Sequence, residues 1–212
     1  MTTASGCNWS MASPRLVILA SGNGTNAQAL LDACASGELE AHVVSVITNN
    51  DQAGVVARAQ AAGVHHQIVE HRGRTPEQRA QDDRGLIEVI RSSAPDLVVL
   101  AGWMRILGSD VGAAFPIINL HPAKPGEFAG VKAIERAFDA WTRGEIVESG
   151  VMVHWVPDEG VDIGPVIAAA AVPFQEGDTV SSFAERVHKT EHQLIVRATR
   201  LALEQDYPST NC

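Results

Sequence analysis

The 212-residue sequence has little that would tie it to a disulfide scaffold, a membrane or a nucleic acid. Its three cysteines are widely spread, without a CxxC pair or a Cys/His cluster, which argues against a disulfide framework or a structural zinc site and fits a reducing, cytoplasmic environment. No apolar run approaches the length of a membrane span, and the N-terminus lacks the pattern of a signal peptide. Sixteen Lys and Arg against 25 Asp and Glu give a formal charge of −9, so the basic footprint that duplex DNA or an anionic membrane requires is missing. A small anionic ligand is still compatible with this charge, because a local site can be positive on an acidic protein.

Apolar residues make up 45% of the chain, enough for the core of one domain. Short apolar runs alternate with stretches of helical spacing; the runs lie at residues 16–20, 43–47, 97–101 and 117–120, with a weaker one at 67–70, and helices are predicted at 26–35, 53–62, from 75 onward, 132–141 and 179–203. This alternation predicts an α/β fold, a Rossmann-like, mostly parallel twisted sheet with helices on both faces. Residues 148–156 and 166–172 flank a loop rich in Gly, Pro and Asp, which predicts an antiparallel C-terminal portion. We expect a flexible leader over residues 1–14, a single domain over 15–204 and a flexible tail over 205–212.

In such sheets ligands bind outside the carboxyl ends of the strands, so the segments after the apolar runs are the first candidates for a site. The first of these is SGNGTN at residues 21–26. Its glycines allow close approach of the backbone, and Gly24, Thr25 and Asn26 would present the free N–H groups of a helix start to an anion. The segment also fits an ordinary tight turn. A third interpretation is a dinucleotide fingerprint, with Asp51 after the second strand as the ribose-binding acid.

The second candidate is NLHP at residues 119–122, where Asn119 and His121 point to the same face of a strand. An amide and an imidazole there could stabilise an oxyanion or move a proton. A third candidate is the loop after residues 153–156, in which Asp162 near His121 would hold the imidazole charged and raise its pKa. Taken singly, His121 fits a structural residue and the loop an acidic, solvated hairpin connection.

The fourth candidate is AGWMRIL at residues 101–107. Gly102 permits close approach, the apolar side chains can line a slot for a flat heterocycle, and Arg105 could pair with a carboxylate. The alternative is the start of a core helix that carries one surface arginine.

Five segments taken in order resemble the motifs of the folate-dependent formyltransferase family: SGNGTN, AGWMRIL, NLHP, HWVPDEGVDIGPVI and, in the last helix, RVHKTEH. The resemblance extends from about residue 15 to residue 203. It is strongest to the branch of the family that formylates glycinamide ribonucleotide in purine biosynthesis. That branch uses 10-formyltetrahydrofolate as co-substrate and no metal.

The resemblance implies a phosphate-binding half over residues 15–115 and a catalytic, folate-binding half over 116–204. Asn119, His121 and Asp162 are implied as the catalytic residues. The ribonucleotide phosphate and ribose are implied to bind at Gly24, Thr25, Asn26 and Glu191. The folate is implied to contact a larger set, namely Arg79, Met104, Arg105, Ile106, Leu107, Asn119, Val156, Pro157, Asp158, Glu159, Gly160, Val161 and Asp162. The implied partners are glycinamide ribonucleotide and folate, with no nucleic acid or membrane, for a monomer or a homodimer in the cytoplasm.

Other functions stay open on the sequence alone. A formyltetrahydrofolate deformylase would use the same three catalytic residues, although such enzymes usually carry an N-terminal regulatory domain. A methionyl-tRNA formyltransferase usually carries a C-terminal RNA-binding domain. An NAD(P)-dependent oxidoreductase built on Gly22 and Gly24 would lack the usual Tyr-x-x-x-Lys pair, because the single tyrosine is Tyr207 in the tail. A non-catalytic nucleotide-binding module would not require Asn119, His121 and Asp162 to converge.

Overall fold

The computed structural model describes residues 13–70, 73, 75–157, 160 and 162–205. Its strands are β1 (Arg15–Leu19), β2 (His42–Thr48), β3 (His66–Ile68), β4 (Leu97–Leu100), β5 (Ile117–His121), β6 (Glu148–Trp155) and β7 (Val166–Pro173). Its helices are α1 (Thr25–Ser36), α2 (Gly54–Ala61), α3 (Pro76–Ser92), α4 (Ser109–Ala114), α5 (Ala133–Thr142) and α6 (Val180–Leu203). Most of the expected leader and tail lies outside the described residues.

The strands form one seven-stranded sheet in the order β3-β2-β1-β4-β5-β6-β7. The neighbouring strands from β3 to β5 pair in parallel. Strand β6 pairs antiparallel with β5 on one side and with β7 on the other. The predicted fold class is therefore confirmed, including its antiparallel C-terminal portion. The chain moves outward from β1 to β3 and then returns to place β4 on the other side of β1. The helices that follow β1 and β4, α1 and α4, consequently pack on opposite faces of the sheet, which opens a crevice at the carboxyl ends of the two strands.

Both faces of the sheet are covered, and this explains why the first apolar run does not alternate with polar residues. Leu16 and Ile18 belong to one buried cluster, which also holds Phe183 of α6. Val17 and Leu19 belong to a second cluster on the opposite face, together with Leu86 of α3. Because successive strand residues point to opposite faces, a strand covered on both sides needs an apolar residue at every position.

Helix α6 carries a charged residue on its buried face. A capping box at Thr179 starts the helix, and Val187 and Leu194 pack into the core. Glu191 lies four residues after Val187 and three before Leu194, which is the spacing of one helix face. Its carboxylate is therefore turned inward, and the residue is 5% exposed.

Two details differ from the expectations. Residues 101–108 form an irregular loop, so the interpretation of AGWMRIL as the start of a helix is wrong. The short helix α4, which follows this loop, was not predicted. Among the described residues, none of the helices is both long enough and apolar enough to cross a membrane.

Candidate active site

Residues from all four candidate segments line a single cavity of about 780 Å³ at the carboxyl ends of β1, β4 and β5. The loops after β1 and β4, which both contribute to its lining, are hydrogen-bonded to each other. Ser21 donates its backbone N–H to the Gly102 carbonyl (3.0 Å), and its hydroxyl oxygen accepts the Met104 N–H (3.0 Å). The switch in strand order thus joins two residues that are 83 positions apart in the chain.

The glycine-rich loop ends in an uncapped helix start. Gly24 has φ +76°, and among the described residues no side chain caps α1. The first helical hydrogen bond runs from Gln28 N–H to Gly24 O at 2.9 Å, so the N–H groups before Gln28 lie ahead of the helical ladder. Arg58 of α2 holds the loop by donating from Nε to the Asn23 carbonyl at 2.7 Å. This is the geometry of an anion cradle at the positive end of a helix.

Replacing Gly24 by Ala should disrupt this loop. A Cβ at Gly24 would lie 2.6 Å from the Val55 side chain, on a backbone with positive φ. Gly37, which ends the same helix at φ +78°, has nothing within 4 Å of its Cβ position. Gly37→Ala should cost about 1–2 kcal/mol, the penalty of the left-handed conformation alone. Gly24→Ala should cost clearly more in thermal or urea unfolding, and equal losses for the two variants would contradict the packing argument.

The structure brings together the side chains of Asn119, His121 and Asp162, although Asp162 follows a different strand. Asn119 Nδ2 donates to Asp162 Oδ1 at 2.9 Å, and Asp162 Oδ2 lies 3.1 Å from His121 Nδ1. Asn119 and His121 share one face of β5, as predicted. The loop after β6 folds back over that face, so one carboxylate contacts both side chains. Their catalytic roles stay predictions.

A second segment, residues 128–130, completes this cluster. Gly130 N–H donates to Asp162 Oδ2 at 2.8 Å, and the Phe128 carbonyl lies 3.2 Å from His121 Nε2. Arg136 of α5 anchors the segment by donating to the Ala129 carbonyl at 2.8 Å. Asp162 itself has φ +56°, a conformation that Asp tolerates better than most residues. Long-range packing therefore holds the carboxylate in place.

The expectation that Asp162 raises the pKa of His121 is only half correct. Burial of the ring lowers the pKa of His121 and outweighs the field of Asp162 and the Phe128 carbonyl, which raise it; His154 and Arg136 lower it further. The net pKa of His121 therefore lies below its ordinary value. The ring is only 4% exposed, and the sequence around it gave no sign of how deeply it is buried.

Asp162 shows the opposite balance. Burial alone would raise the pKa of the Asp162 carboxyl, but its contact with His154, the hydrogen bond from Gly130 N–H and the field of His121 bring its pKa below the ordinary value. Its carboxylate is thus ionised at neutral pH, while the lowered pKa of His121 means that the ring beside it holds its second proton less tightly than an ordinary histidine. Such a pair is suited to transferring a proton, because the ring can gain charge next to a fixed anion.

His154 was not among the predicted site residues, and the structure adds it to the cluster. Its Nδ1 donates to the Trp155 carbonyl at 2.8 Å, which leaves Nε2 facing Asn119 Nδ2 at 3.2 Å and Asp162 Oδ1 at 3.5 Å. The antiparallel pairing of β5 with β6 sets Asn119 directly opposite His154. His154 could have been identified only from the register of β6 against β5, which the sequence of either strand alone does not reveal.

The other end of the cavity contains Asn26, Glu191 and His188, of which His188 was not predicted either. Asn26 Nδ2 donates to Glu191 Oε2 at 3.3 Å, and His188 Nδ1 lies 2.8 Å from the same oxygen. The hydrogen bond to Glu191 raises the pKa of His188 above its ordinary value, against the effect of burial. Glu191 therefore lies beside the predicted phosphate cradle, and its contact with the substrate ribose stays a prediction.

The two histidines should titrate in a fixed order. His121 should lose its proton below pH 6.5 and His188 above it, because burial dominates the first pKa and the Glu191 hydrogen bond the second. NMR titration of the eight histidines, assigned with His121→Gln and His188→Gln, measures both values. The reverse order would contradict either the burial of His121 or the pairing of His188 with Glu191. Glu191→Gln should lower the pKa of His188 and leave that of His121 in place.

The residues that were predicted to bind folate are only partly together. Met104 and Ile106 line the mouth of the cavity and are each 68% exposed. Arg105, Leu107, Val156 and Gly160 also line it, whereas Pro157, Arg79 and the alternative ribose acid Asp51 are not among its lining residues. Asp158, Glu159 and Val161 lie outside the described residues. Residues 130–135 contribute to the wall without having been predicted. Among the described residues, no group of His, Cys, Asp and Glu side chains is arranged to hold a metal ion.

Comparison with known proteins identifies the family of this chain. Residues 14–199 match the family model described as formyl transferase. The chain is 42% identical over 195 residues to a phosphoribosylglycinamide formyltransferase of Schizosaccharomyces pombe, covering 86% of this chain and 94% of that protein. It is 36% identical to the Escherichia coli protein of the same name, covering 84% and 82% of the two chains. The structure superposes with a TM-score of 0.84 on glycinamide ribonucleotide transformylase 1 from Symbiobacterium toebii, at 34% identity and covering 96% and 93% of the chains. The chain belongs to the formyl transferase family.

Proposed function

We propose that this protein transfers the formyl group of 10-formyltetrahydrofolate to the amino group of glycinamide ribonucleotide, a step of purine biosynthesis. The observation that carries the proposal is the contact of one carboxylate, Asp162, with both Asn119 and His121 inside a cavity that also contains a helix-start anion cradle. The names of the relatives agree with it. The deformylase and oxidoreductase alternatives draw no support from these comparisons.

The two substrates would bind different parts of the cavity. The ribonucleotide phosphate would bind the backbone N–H groups of Gly24, Thr25 and Asn26, and Glu191 would accept from a ribose hydroxyl. The flat pterin ring would lie between the apolar side chains of residues 104–107 and the loop that begins at Val156. Arg79 is exposed on α3 and would have to contact a distal part of the folate.

Chemistry would begin when the substrate amine attacks the formyl carbon. A C–N bond forms, and the carbonyl oxygen becomes an oxyanion that takes a hydrogen bond from Asn119 Nδ2 in competition with Asp162 and His154. The amine nitrogen loses a proton to the ring of His121, whose lowered pKa favours the uncharged form that can accept it. Asp162 stabilises the imidazolium as it forms. The bond from carbon to the folate nitrogen then breaks, and that nitrogen takes the proton from His121.

In this scheme the protein positions two ligands and stabilises one oxyanion. The nucleophile is the amine of the substrate, so no serine or cysteine nucleophile is needed. A single oxyanion donor is typically worth about 3–4 kcal/mol of transition-state stabilisation. Holding both reactants in one cavity contributes through proximity.

We infer in addition that the protein acts in the cytoplasm as a monomer or homodimer, without metal, nucleic acid or membrane. The net charge of −9 supports the absence of nucleic acid and membrane partners, and the three scattered cysteines support a reducing compartment without a structural zinc site.

A direct assay tests the proposal. The protein is mixed with 10-formyl-5,8-dideazafolate, and formation of the deformylated product is followed by absorbance with and without glycinamide ribonucleotide. Product should form only when the ribonucleotide is present. Product without the ribonucleotide would instead indicate the deformylase, and binding of NADH with no formyl transfer would indicate the oxidoreductase.

A further inference from the structure

A buried carboxylate beside an anion cradle presents an electrostatic problem. Glu191 is 5% exposed and is hydrogen-bonded to Asn26, which is also one of the residues that would hold the phosphate. A second negative charge entering the same end of the cavity would be repelled, more strongly than in water because the surroundings are of low dielectric. A buried charge of this kind is tolerated when a partner compensates it.

His188 is placed to provide that compensation. It lies one helical turn before Glu191, with Nδ1 2.8 Å from the same oxygen, Oε2, that accepts from Asn26. Its side chain is 52% exposed and lines the cavity, so a ligand can approach it. The ring is therefore both the counter-charge of Glu191 and a positive group at the mouth of the cradle when it is protonated.

We propose that His188 is a specificity-determining residue that makes binding of the anionic substrate depend on a proton: its imidazolium neutralises Glu191 and attracts the phosphate. This inference rests on the proposed function only in identifying the anion as the ribonucleotide phosphate. The raised pKa of His188 fits it, because the hydrogen bond to Glu191 already favours the charged ring and an anion would favour it further.

The surroundings of His188 supply no other compensating charge at this distance in the described part of the chain. Helix α1 contributes the uncharged Thr25 and Asn26. The remaining ionisable groups that line the cavity come from other elements: Lys132 and Glu135 at the start of α5, Arg105 after β4, His121 on β5, His154 on β6, and Asp162. Glu191 is the charged group that affects the pKa of His188.

Sulfate is the appropriate probe, because it stays a dianion across the range in which histidine titrates, whereas phosphate itself titrates there. Isothermal titration calorimetry of sulfate binding, in two buffers that differ in ionisation enthalpy, measures the protons taken up per anion bound. Wild-type protein should take up a proton as pH rises past the pKa of His188, and its affinity should fall in the same range by up to about tenfold per pH unit.

Four variants separate this proposal from a merely structural role. His188→Gln keeps a hydrogen-bond donor but loses the charge, so it should bind sulfate more weakly and without proton uptake. His188→Lys keeps the charge at all these pH values and should bind sulfate with a flat pH profile. His42→Gln removes a histidine from the exposed start of β2 and should behave as wild type. In His121→Gln the proton uptake should persist. This result would show that the proton is not taken up by His121.

Proton uptake that persists in His188→Gln would overturn the inference, as would wild-type protein that binds no sulfate. The formyl-transfer assay is independent of this measurement. Loss of formyl transfer with proton-linked sulfate binding intact would reject the proposed enzymatic function and leave the role of His188 standing. Formyl transfer without proton-linked sulfate binding would support the proposed enzymatic function and reject the role of His188.

Discussion

Asp162→Asn should lower kcat by about 10³-fold or more while the protein still folds. The carboxylate accepts from Asn119 Nδ2 on Oδ1 and from Gly130 N–H on Oδ2. An amide has one oxygen and one NH2 group, so either orientation of the substituted side chain sets its NH2 against one of these donors. The new side chain also cannot stabilise a proton on His121. The measurement is kcat in the formyl-transfer assay, with the melting temperature followed in parallel.

The fold should survive this substitution because asparagine tolerates the φ of +56° at position 162. Disturbing a buried hydrogen bond costs about 1–3 kcal/mol, so the melting temperature should fall by less than about 10 °C. Asp51→Asn is the matched control, since Asp51 is exposed and does not line the cavity; it should leave kcat unchanged. An unchanged kcat in Asp162→Asn would remove the carboxylate from the mechanism, and unfolding at room temperature would show that Asp162 is primarily structural.

Gly164→Ala should have the largest effect on stability. A Cβ at this position would lie 1.8 Å from the Trp155 carbonyl oxygen and 3.1 Å from His154 Nδ1. The backbone must therefore move, which breaks the Trp155 N–H to Pro165 carbonyl hydrogen bond of 2.9 Å. We expect a loss of at least about 3 kcal/mol and a melting temperature lower by about 10 °C. Because Asp162 is two residues away, kcat should fall as well.

Gly85→Ala makes the same chemical change in the middle of α3, where nothing lies within 4 Å of the Cβ position. It should stabilise the protein by about 0.5–1 kcal/mol, since alanine loses less backbone freedom than glycine in a helix. Differential scanning calorimetry of both variants gives the comparison. If Gly164→Ala has the melting temperature and the kcat of the wild-type protein, then the close approach of the β6–β7 loop to β6 does not control the position of Asp162.

Local patterns predicted the parts of the fold that depend on near neighbours. The apolar run at residues 16–20 became β1, the Thr75 cap begins α3, and the glycine-rich segment became a helix start. Helix α4 was missed because six residues with a glycine among them carry no helical periodicity. Asn119 and His121 were identified as a pair because alternate residues of a strand share a face.

Contacts between distant segments could not be predicted in the same way. His154 joined the cluster through the register of β6 against β5, and residues 128–130 through backbone groups, which any sequence possesses. The distance of Arg79 from the cavity depends on how α3 packs. The sign of the His121 pKa shift depends on the balance between burial and a neighbouring charge.

The sequence by itself determined the order of the strands and of every helix except α4, the motifs between them and therefore the kind of chemistry, because periodicity, glycine positions and residue types are local properties. Only the tertiary structure decided which atoms meet. It set the return of the β6–β7 loop onto β5, the burial that lowers the pKa of His121 and the pairing of Glu191 with His188. These features depend on distances and on exclusion of water, and both arise when segments far apart in the chain pack together.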